Sequence, residues 1–200
     1  MNATAPLIMT VSGGPRSDGT SAELLRRFTD RLNARFVHYD AYRRNYAPCT
    51  DCRACREFEG CANGDMDGFF ADFEACDGII ISSPVYNMSF PAPMKAIIDR
   101  MQRYYSARFF LHSRPPIAKS RPVALLLSAG SKEEDGSFAA MQLGKIFTVT
   151  NCQLLCRVTV NNTDSIGSDW TAESVEETIS RETAYFGALT GCIINASQKF

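Results

Sequence analysis

Apolar residues along this chain come in short runs that alternate with amphipathic stretches, from residue 7 to about residue 189. Near-continuous apolar runs are typical of strands buried on both faces, and their alternation with helices indicates a parallel sheet. The sequence therefore predicts an α/β fold built on a five-stranded parallel sheet. The predicted strands are residues 7–12, 35–39, 78–82, 123–128 and 154–160.

The stretches between these runs carry apolar residues three or four positions apart, which is the spacing of one helix face. Three such stripes are expected to face the core: Leu24, Leu25, Phe28 and Leu32; Met66, Phe69, Phe70 and Phe73; and Met94, Ile97, Ile98 and Met101. Two further helices are indicated by Phe138, Met141 and Ile146, and by Val175, Ile179, Phe186 and Leu189.

Residues 103–122 are predicted to be irregular. They carry Tyr104, Tyr105, Phe109 and Phe110 together with three prolines, which is too aromatic for a solvated linker. We expect this stretch to cover a ligand or a partner subunit.

Composition narrows the class of protein. The 200 residues are 45% hydrophobic with a formal charge of −1, and no linker interrupts them, so residues 1–200 are predicted to form one domain. The near-neutral charge argues against nucleic acid as the main partner. No apolar run approaches the ~20 residues of a membrane span, and residues 1–6 do not resemble a targeting segment. A cytoplasmic protein without a membrane partner is expected.

A compact cysteine motif is the most informative feature of the chain. Cys49, Cys52, Cys55 and Cys61 lie in the thirteen-residue stretch CTDCRACREFEGC, within a predicted loop of about residues 46–66. Two residues between ligands allow a short loop to present three thiolates to three corners of an iron-sulfur cube, and Cys61 supplies the fourth. Such a centre is negatively charged, and four cations are close in sequence. These are Arg43, Arg44, Arg53 and Arg56.

Other uses of these four cysteines remain open. A tetrahedral zinc site usually takes two well-separated ligand pairs, whereas three ligands within seven residues suit a polynuclear cluster better. A disulfide framework belongs to small secreted chains, which this chain does not resemble. A loop of free thiols without metal is the remaining alternative.

The other four cysteines are expected to be buried without a chemical role. Cys76, Cys152, Cys156 and Cys192 lie in apolar surroundings such as FEACDGIII and GCIIN. A thiol in such surroundings behaves as a small hydrophobic side chain.

Ligands of a doubly wound sheet bind beyond the carboxyl ends of its strands, so the loops after the first, third and fourth predicted strands are candidate sites. The first loop reads SGGPRSDGTSAELL, and its glycines allow close approach of a ligand to the backbone. Arg16 can pair with a phosphate, and hydroxyls stand at the start of a helix. The residues proposed for this anion site are Ser12, Gly14, Arg16, Asp18, Thr20 and Ser21.

The other two loops are predicted to hold a planar ring. After the third strand, Pro84 and Val85 lead to Tyr86 and Asn87, which offer an aromatic and a polar contact. After the fourth strand, small residues allow a flat cofactor to come close, and the residues concerned are Ala129 and Gly130. With a phosphate site in the first loop, these features predict a flavodoxin-like FMN site.

On these residues the chain resembles the NAD(P)H-dependent FMN reductase family, and within it the iron-sulfur flavoproteins. The resemblance spans most of the chain and rests on SGGPRSDGTSAELL, PCTDCRACREFEGCANGDMD and SSPVYNMSFPAPMKAIIDR. It implies a flavodoxin-like, doubly wound sheet of order 2-1-3-4-5, with FMN at a subunit interface of a homodimer or homotetramer. It also implies a [4Fe-4S] cluster on Cys49, Cys52, Cys55 and Cys61, and NAD(P)H or a ferredoxin-like protein as redox partner.

Two residues depart from the family's usual first loop, G-S-P-R. Gly14 stands where a serine hydroxyl would face the phosphate, and Asp18 stands where a neutral side chain is more usual. Unless Arg16 lies between them, a carboxylate would repel the phosphate. Asp18 capping the following helix is the alternative. A modest FMN affinity is therefore expected.

The function predicted from these features is an electron-transfer flavoprotein with FMN and a [4Fe-4S] cluster. No side chain is assigned as a general base, and His38 and His112 are expected to be structural or exposed. One alternative is a cluster-free reductase that passes electrons from NAD(P)H through FMN to quinones, nitro compounds, azo compounds or metal ions. Another is a non-enzymatic module that senses metal or redox state through its cysteines.

Overall fold

The structure, a computed structural model, describes residues 4–130, 135–164 and 173–194. Its strands are β1 (Leu7–Ser12), β2 (Leu32–Asn33), β3 (Arg35–Asp40), β4 (Gly78–Pro84), β5 (Arg121–Ser128), β6 (Cys152–Val160) and β7 (Ile193–Ile194). Its α-helices are α1 (Thr20–Thr29), α2 (Ala41–Arg44), α3 (Asp67–Ala75), α4 (Ala92–Arg100), α5 (Gln102–Phe109), α6 (Asp135–Val149) and α7 (Glu173–Thr190), and short 3₁₀ turns lie at Ala54–Arg56 and Gly64–Met66.

Five strands form one parallel sheet in the order β3-β1-β4-β5-β6. Without the two-residue strand β2, which pairs antiparallel with β7, this is the order 2-1-3-4-5. The α/β fold and its parallel sheet are therefore confirmed. The strand order reverses between β1 and β4, and a ligand is expected at the carboxyl ends of these two strands.

Apolar side chains cover both faces of the sheet. One face packs against α3, α4, α5 and α6, through residues such as Phe70, Met94 and Leu143. The other face packs against α1 and α7, where Phe28 meets Phe186 edge to face at 5.8 Å. This two-sided burial explains why β4 and β5 read as near-continuous apolar runs in the sequence.

The structure corrects the prediction for residues 103–122. The segment begins as helix α5, and β5 starts two residues earlier than predicted, at Arg121. Tyr104 is buried, whereas Tyr105, Phe109 and Phe110 are 42–45% exposed. The helix ends at Phe109, before the first proline at Pro115, and Pro122 lies in β5, so the expectation of an irregular stretch was wrong for residues 103–109 and 121–122.

The buried face of α6 also differs from the prediction. Phe138 and Met141 are 54% and 73% exposed, and the face toward the sheet carries Ala139, Leu143 and Phe147 instead. Apolar residues occur on all sides of this helix, so their spacing in the sequence alone could not identify the side that is buried. Two smaller corrections are that Leu189 of α7 is 41% exposed and that Leu32 lies in β2 rather than in α1.

None of the helices in the described ranges is long and apolar enough to cross a bilayer.

Candidate cofactor sites

A cleft lies at the carboxyl ends of β1, β4 and β5, where the strand order reverses. It is formed by the loop after β1, the loop after β4, and short segments that follow β5 and β6. Seven of the residues predicted for cofactor binding line it: Arg16, Thr20, Ser21, Pro84, Val85, Tyr86 and Gly130. Its volume of about 120 Å³ is well below the roughly 300–1,000 Å³ of pockets that enclose a drug-sized ligand. The cleft of one chain therefore has room for a phosphate-sized group but not for a whole drug-sized ligand.

The loop after β1 places hydroxyls and backbone N–H groups at the start of α1. The helix begins at Thr20, and its N-cap is Gly19, which has no side chain to cap it. Asp18 is exposed and does not cap the helix, so that alternative is wrong. The unsatisfied N–H groups of the first turn and the helix dipole favour an anion here.

The structure explains why position 14 is a glycine. A Cβ at Gly14 would lie 2.6 Å from Oγ of Ser21. The space that a side chain at position 14 would need is therefore already occupied by the hydroxyl of Ser21. The hydroxyl that the sequence comparison found missing at position 14 thus has a hydroxyl of another residue beside its position.

The loop after β4 presents Tyr86 on a tight turn. Tyr86 and Ser89 exchange backbone hydrogen bonds of 2.9 and 3.0 Å, and the two residues between them, Asn87 and Met88, have φ values of 51° and 61°. Positive φ at both central residues is the geometry of a type I′ turn, which is unfavourable for methionine. The ring of Tyr86 remains 45% exposed at the mouth of the cleft.

Gln142 of α6 holds this turn in place, although no sequence pattern predicted such a role. Its Oε1 lies 3.0 Å from Oγ of Ser89, and its Nε2 donates to the carbonyl of Met88 at 3.3 Å. One amide thus bonds two adjacent residues of the strained turn. The contact joins residues 53 and 54 positions apart, which sequence spacing alone does not reveal.

The loop after β5 is shaped differently from the prediction. Ala129 is buried, and its backbone bonds to Val160 and Thr163 extend the sheet beyond its end. Gly130 lies directly against the carboxylate of Asp164, where a Cβ would not fit. Asp164 thus occupies the space beside Gly130 that was predicted to let a flat cofactor come close. Residues 131–134 of this loop lie outside the described ranges.

Five predicted residues do not line the cleft, and five unpredicted ones do. Those that do not are Ser12, Gly14, Asp18, Asn87 and Ala129, all of which lie in or next to the lining loops. The unpredicted lining residues are Pro15, Gly19, Ser128, Thr163 and Asp164. Of these, Thr163 and Asp164 follow β6, a strand end at which no ligand contact was predicted.

The four predicted cluster ligands line one hollow. Cys49 and Cys52 are exposed, Cys55 and Cys61 are half-buried, and all four are free thiols. The loop turns sharply on either side of Cys52, because its neighbours Asp51 and Arg53 both have left-handed backbone, with φ values of 50° and 65°. These turns bring thiols separated by two residues to the same hollow.

The rest of this hollow comes from α4 and α5. Its wall contains Arg100, Gln102, Arg103 and Ser106, and Oγ of Ser106 lies 3.2 Å from Sγ of Cys55. Arg103 is held over the ring of Phe70 at 4.5 Å. None of these helix residues was predicted, because about forty residues separate them from the cysteine motif.

The cations at the hollow are only partly those that the sequence suggested. Arg53 and Arg56 line it, but Arg43 pairs with Asp40 at 3.5 Å and Arg44 lies over the ring of Tyr39. Arg100 and Arg103 take the place of these two residues. Four arginines at one thiol-lined hollow make an environment that favours a negatively charged group.

Arg100 differs from the other cations at the hollow because it is only 3% exposed. Burial acts to lower the pKa of its guanidinium, but hydrogen bonding to Asp65 and the nearby Cys61 outweigh that effect and raise the pKa above its usual value. Its Nε is buried and has no hydrogen-bond partner among the described residues. A buried, incompletely satisfied cation beside four thiols fits an anionic cluster at this position.

No three His, Cys, Asp or Glu side chains in residues 4–130, 135–164 and 173–194 are grouped so that they could hold a metal ion. The four thiols share a hollow without converging on one point. In a cubane cluster each thiolate binds a different iron atom, so its ligands surround a larger object than a single ion.

The remaining cysteines are buried, as predicted. Cys76, Cys152, Cys156 and Cys192 are at most 7% exposed. Burial raises the pKa of Cys76 to about 11 and that of Cys156 to about 12, so these thiols stay protonated at neutral pH.

The pattern of the NADPH-dependent FMN reductase family matches residues 6–164. An iron-sulfur flavoprotein of Methanosarcina thermophila is 30% identical over 139 residues, which cover 68% of this chain and 69% of that protein. An iron-sulfur flavoprotein of Methanocaldococcus jannaschii is 24% identical over 148 residues, which cover 72% of this chain and 71% of that protein.

Solved structures share the fold. The NAD(P)H:quinone oxidoreductase from Methanothermobacter marburgensis aligns with a TM-score of 0.65 at 20% identity, covering 93% of this chain and 96% of that one. The fold and the family match together define a flavin oxidoreductase. The chain belongs to the NADPH-dependent FMN reductase family, and its similarity to iron-sulfur flavoproteins places it in that branch.

Proposed function

We propose that this protein is an electron-transfer flavoprotein that binds FMN in the cleft and a [4Fe-4S] cluster on Cys49, Cys52, Cys55 and Cys61. The observation that carries the proposal is the pair of sites in one chain. One is a cleft at the strand-order reversal, lined by Arg16, Thr20 and Ser21 at the start of α1, and the other is a hollow lined by four free thiols and four arginines. Bound FMN exchanges electrons singly or in pairs and the cluster exchanges one, which would let the protein couple the two kinds of chemistry.

The phosphate of FMN would lie at the α1 end of the cleft. Arg16 offers a guanidinium, Thr20 and Ser21 offer hydroxyls, and the first turn of α1 offers free N–H groups. Ser21 is buried, and its carbonyl accepts a 2.5 Å hydrogen bond from the hydroxyl of Ser82 in β4, so the backbone of Ser21 is tied to the sheet.

The flavin ring would lie against Pro84, Val85 and Tyr86. The cleft encloses too little volume for the ring, so a second surface is needed to exclude water from it. Three aromatic rings on α5 and directly after it are exposed, and exposed apolar rings of this kind are often covered in subunit interfaces. They belong to Tyr105, Phe109 and Phe110. These features support a homodimer or homotetramer in which a partner subunit completes the site.

Helix α4 separates the two proposed sites within one chain. It begins after the turn at Tyr86 and ends at Arg100, beside the cysteine hollow. Nine residues at 1.5 Å each give a separation of about 13 Å along the helix. In an oligomer, the cysteine loop of a second subunit could lie closer to the flavin than the loop of the same chain, which supports a site shared between subunits.

Titration of Arg16→Ala with FMN tests the cleft directly. Loss of one hydrogen bond to a charged group should weaken binding by about 1.5–3 kcal/mol, or roughly 10- to 150-fold. Arg181→Ala is the control, because Arg181 is also an exposed arginine, but on α7 and paired with Glu182. An unchanged dissociation constant for Arg16→Ala would place the phosphate elsewhere.

A further inference from the structure

Arg100 connects the two ends of the cysteine loop. Its Nη1 donates to the carbonyl of Ala47 at 3.0 Å, and its Nη2 donates to the carbonyl of Asn63 at 2.5 Å. Ala47 precedes the first cysteine of the motif by two residues, and Asn63 follows the last by two. A single side chain at the end of α4 therefore closes the loop that carries all four thiols.

Asp65 completes this arrangement. One of its carboxylate oxygens lies 2.8 Å from Nη1 of Arg100, and the other accepts a 2.9 Å hydrogen bond from the backbone N–H of Ala47. The carboxylate thus bonds both the arginine and the start of the loop. Only a planar guanidinium can reach two carbonyls and a carboxylate in this geometry, since a lysine ammonium lacks the rigid fork.

The charge of Arg100 is buried at the hollow. Its side chain is 2% exposed, whereas that of Arg53, which also lines the hollow, is 64% exposed. Because water screens an exposed charge, the buried one interacts far more strongly with any charge on the thiols. Asp65 neutralises part of it, but the unpartnered Nε leaves one donor unused.

We propose that Arg100 is the positioning residue of the cysteine loop and also the buried cation that stabilises the negative charge of the thiolate-bound cluster. The second role rests on the proposed function, because it requires the cluster. The first role concerns the chain alone and holds for any occupant of the hollow. Because Arg100 is the last residue of α4, its side chain also ties the cysteine loop to the helix that follows the turn at Tyr86.

Three variants distinguish the effect of the forked hydrogen-bonding geometry of the Arg100 guanidinium from the effect of its positive charge. Arg100→Lys keeps the charge and loses the fork, Arg100→Gln loses both, and Arg53→Gln removes an exposed charge from the same hollow. The first measurement is amide hydrogen exchange of residues 46–66 in the full-length, metal-free protein. Both Arg100 variants should exchange at least about tenfold faster there, the effect of losing one hydrogen bond to a charged group, and Arg53→Gln should match the wild type.

The second measurement is the midpoint potential of the iron-loaded protein, followed by electron paramagnetic resonance. Reduction adds negative charge, so Arg100→Gln should shift the potential to more negative values. Arg100→Lys should stay near the wild type, and Arg53→Gln should shift it less than Arg100→Gln. A role in folding alone would not separate Lys from Gln in this way.

Each outcome decides one of the two roles. Unchanged exchange in Arg100→Lys overturns the positioning role, whether or not Arg100→Gln folds. If the midpoint potential of Arg100→Lys is as negative as that of Arg100→Gln, the charge role is overturned. If Arg100→Gln does not fold, a potential of Arg100→Lys far from that of the wild type overturns the charge role instead. A wild-type protein that cannot be loaded with iron overturns the cluster and with it the charge role, while the exchange experiment still decides the positioning role.

Discussion

Gly14→Ala should weaken FMN binding while leaving the fold almost unchanged. The added methyl group would lie 2.6 Å from Oγ of Ser21 and no closer than 3.5 Å to any other atom that it meets. A hydroxyl can rotate away from such a contact, so the methyl group displaces the proposed phosphate ligand rather than the backbone. The free energy of unfolding of the FMN-free protein should therefore change by less than about 1 kcal/mol.

The expected loss of FMN affinity follows from the displaced hydroxyl. A hydrogen bond from Ser21 to a charged phosphate is worth about 1.5–3 kcal/mol, so the dissociation constant should rise roughly 10- to 150-fold. Quenching of flavin fluorescence during titration measures this constant, and urea unfolding measures the stability. Ser21→Ala should give a similar loss of affinity, because it removes the same hydroxyl.

Gly13→Ala is the matched control. Its methyl group would lie 2.7 and 3.0 Å from Oγ and Cβ of Ser83 and 3.1 Å from Cβ of Met94. Both neighbours are buried, and Cβ atoms cannot rotate away, so overpacking should lower the free energy of unfolding by about 1–3 kcal/mol. If Gly14→Ala binds FMN as tightly as the wild type, Ser21 is not a phosphate ligand.

Three further results are expected. Cys52→Ser should lose the broad absorption near ~400 nm of thiolate-bound iron and Cys76→Ser should keep it; the reverse would refute the ligand assignment. Phe109→Asp with Phe110→Asp should give monomers in sedimentation that lose FMN more readily, and an unchanged oligomer would exclude this patch from the interface. Burial raises the pKa of Cys76 from 9.0 to about 11. The folded thiol therefore stays protonated where the unfolded one ionises, and the free energy of unfolding should fall as pH rises from about 9 to about 11. Cys76→Ala should remove up to about 3 kcal/mol of that pH dependence, and an identical slope would contradict it.

The sheet could be predicted from the sequence because its strands are buried on both faces. Runs such as GIIISS and VALLLS are too short for core helices and are apolar at successive positions, which is typical of such strands. The predicted strands match β1, β3, β4, β5 and β6 within two residues at each end. Helix faces were harder to predict where both sides are apolar. In α6 the small Ala139 lies against the sheet on the same face as the large Phe147, whereas Phe138 is exposed, so neither size nor hydrophobicity of single residues identifies the buried face.

The candidate sites were predictable where their residues are adjacent in sequence. The cysteine motif and the loops at Arg16 and Tyr86 are local patterns in the sequence. In the structure the cysteines line the hollow, and the two loops line the cleft. The supporting residues were not predictable, because Gln142 and Arg100 act over more than fifty and more than thirty positions. Asp164 could have been found by treating the end of β6 as part of the cleft.

The central claim is that one chain carries both a flavin and an iron-sulfur cluster. It is tested most directly by a visible spectrum of protein purified without oxygen, together with counts of FMN, iron and sulfide per chain. We expect about one FMN, four iron atoms and four sulfides, as a [4Fe-4S] centre held by four thiolates requires. If the protein contains flavin but no iron, even after reconstitution, the cluster is excluded and the alternative of a cluster-free reductase is supported. A protein that neither contains nor binds FMN would contradict the proposed function as a whole.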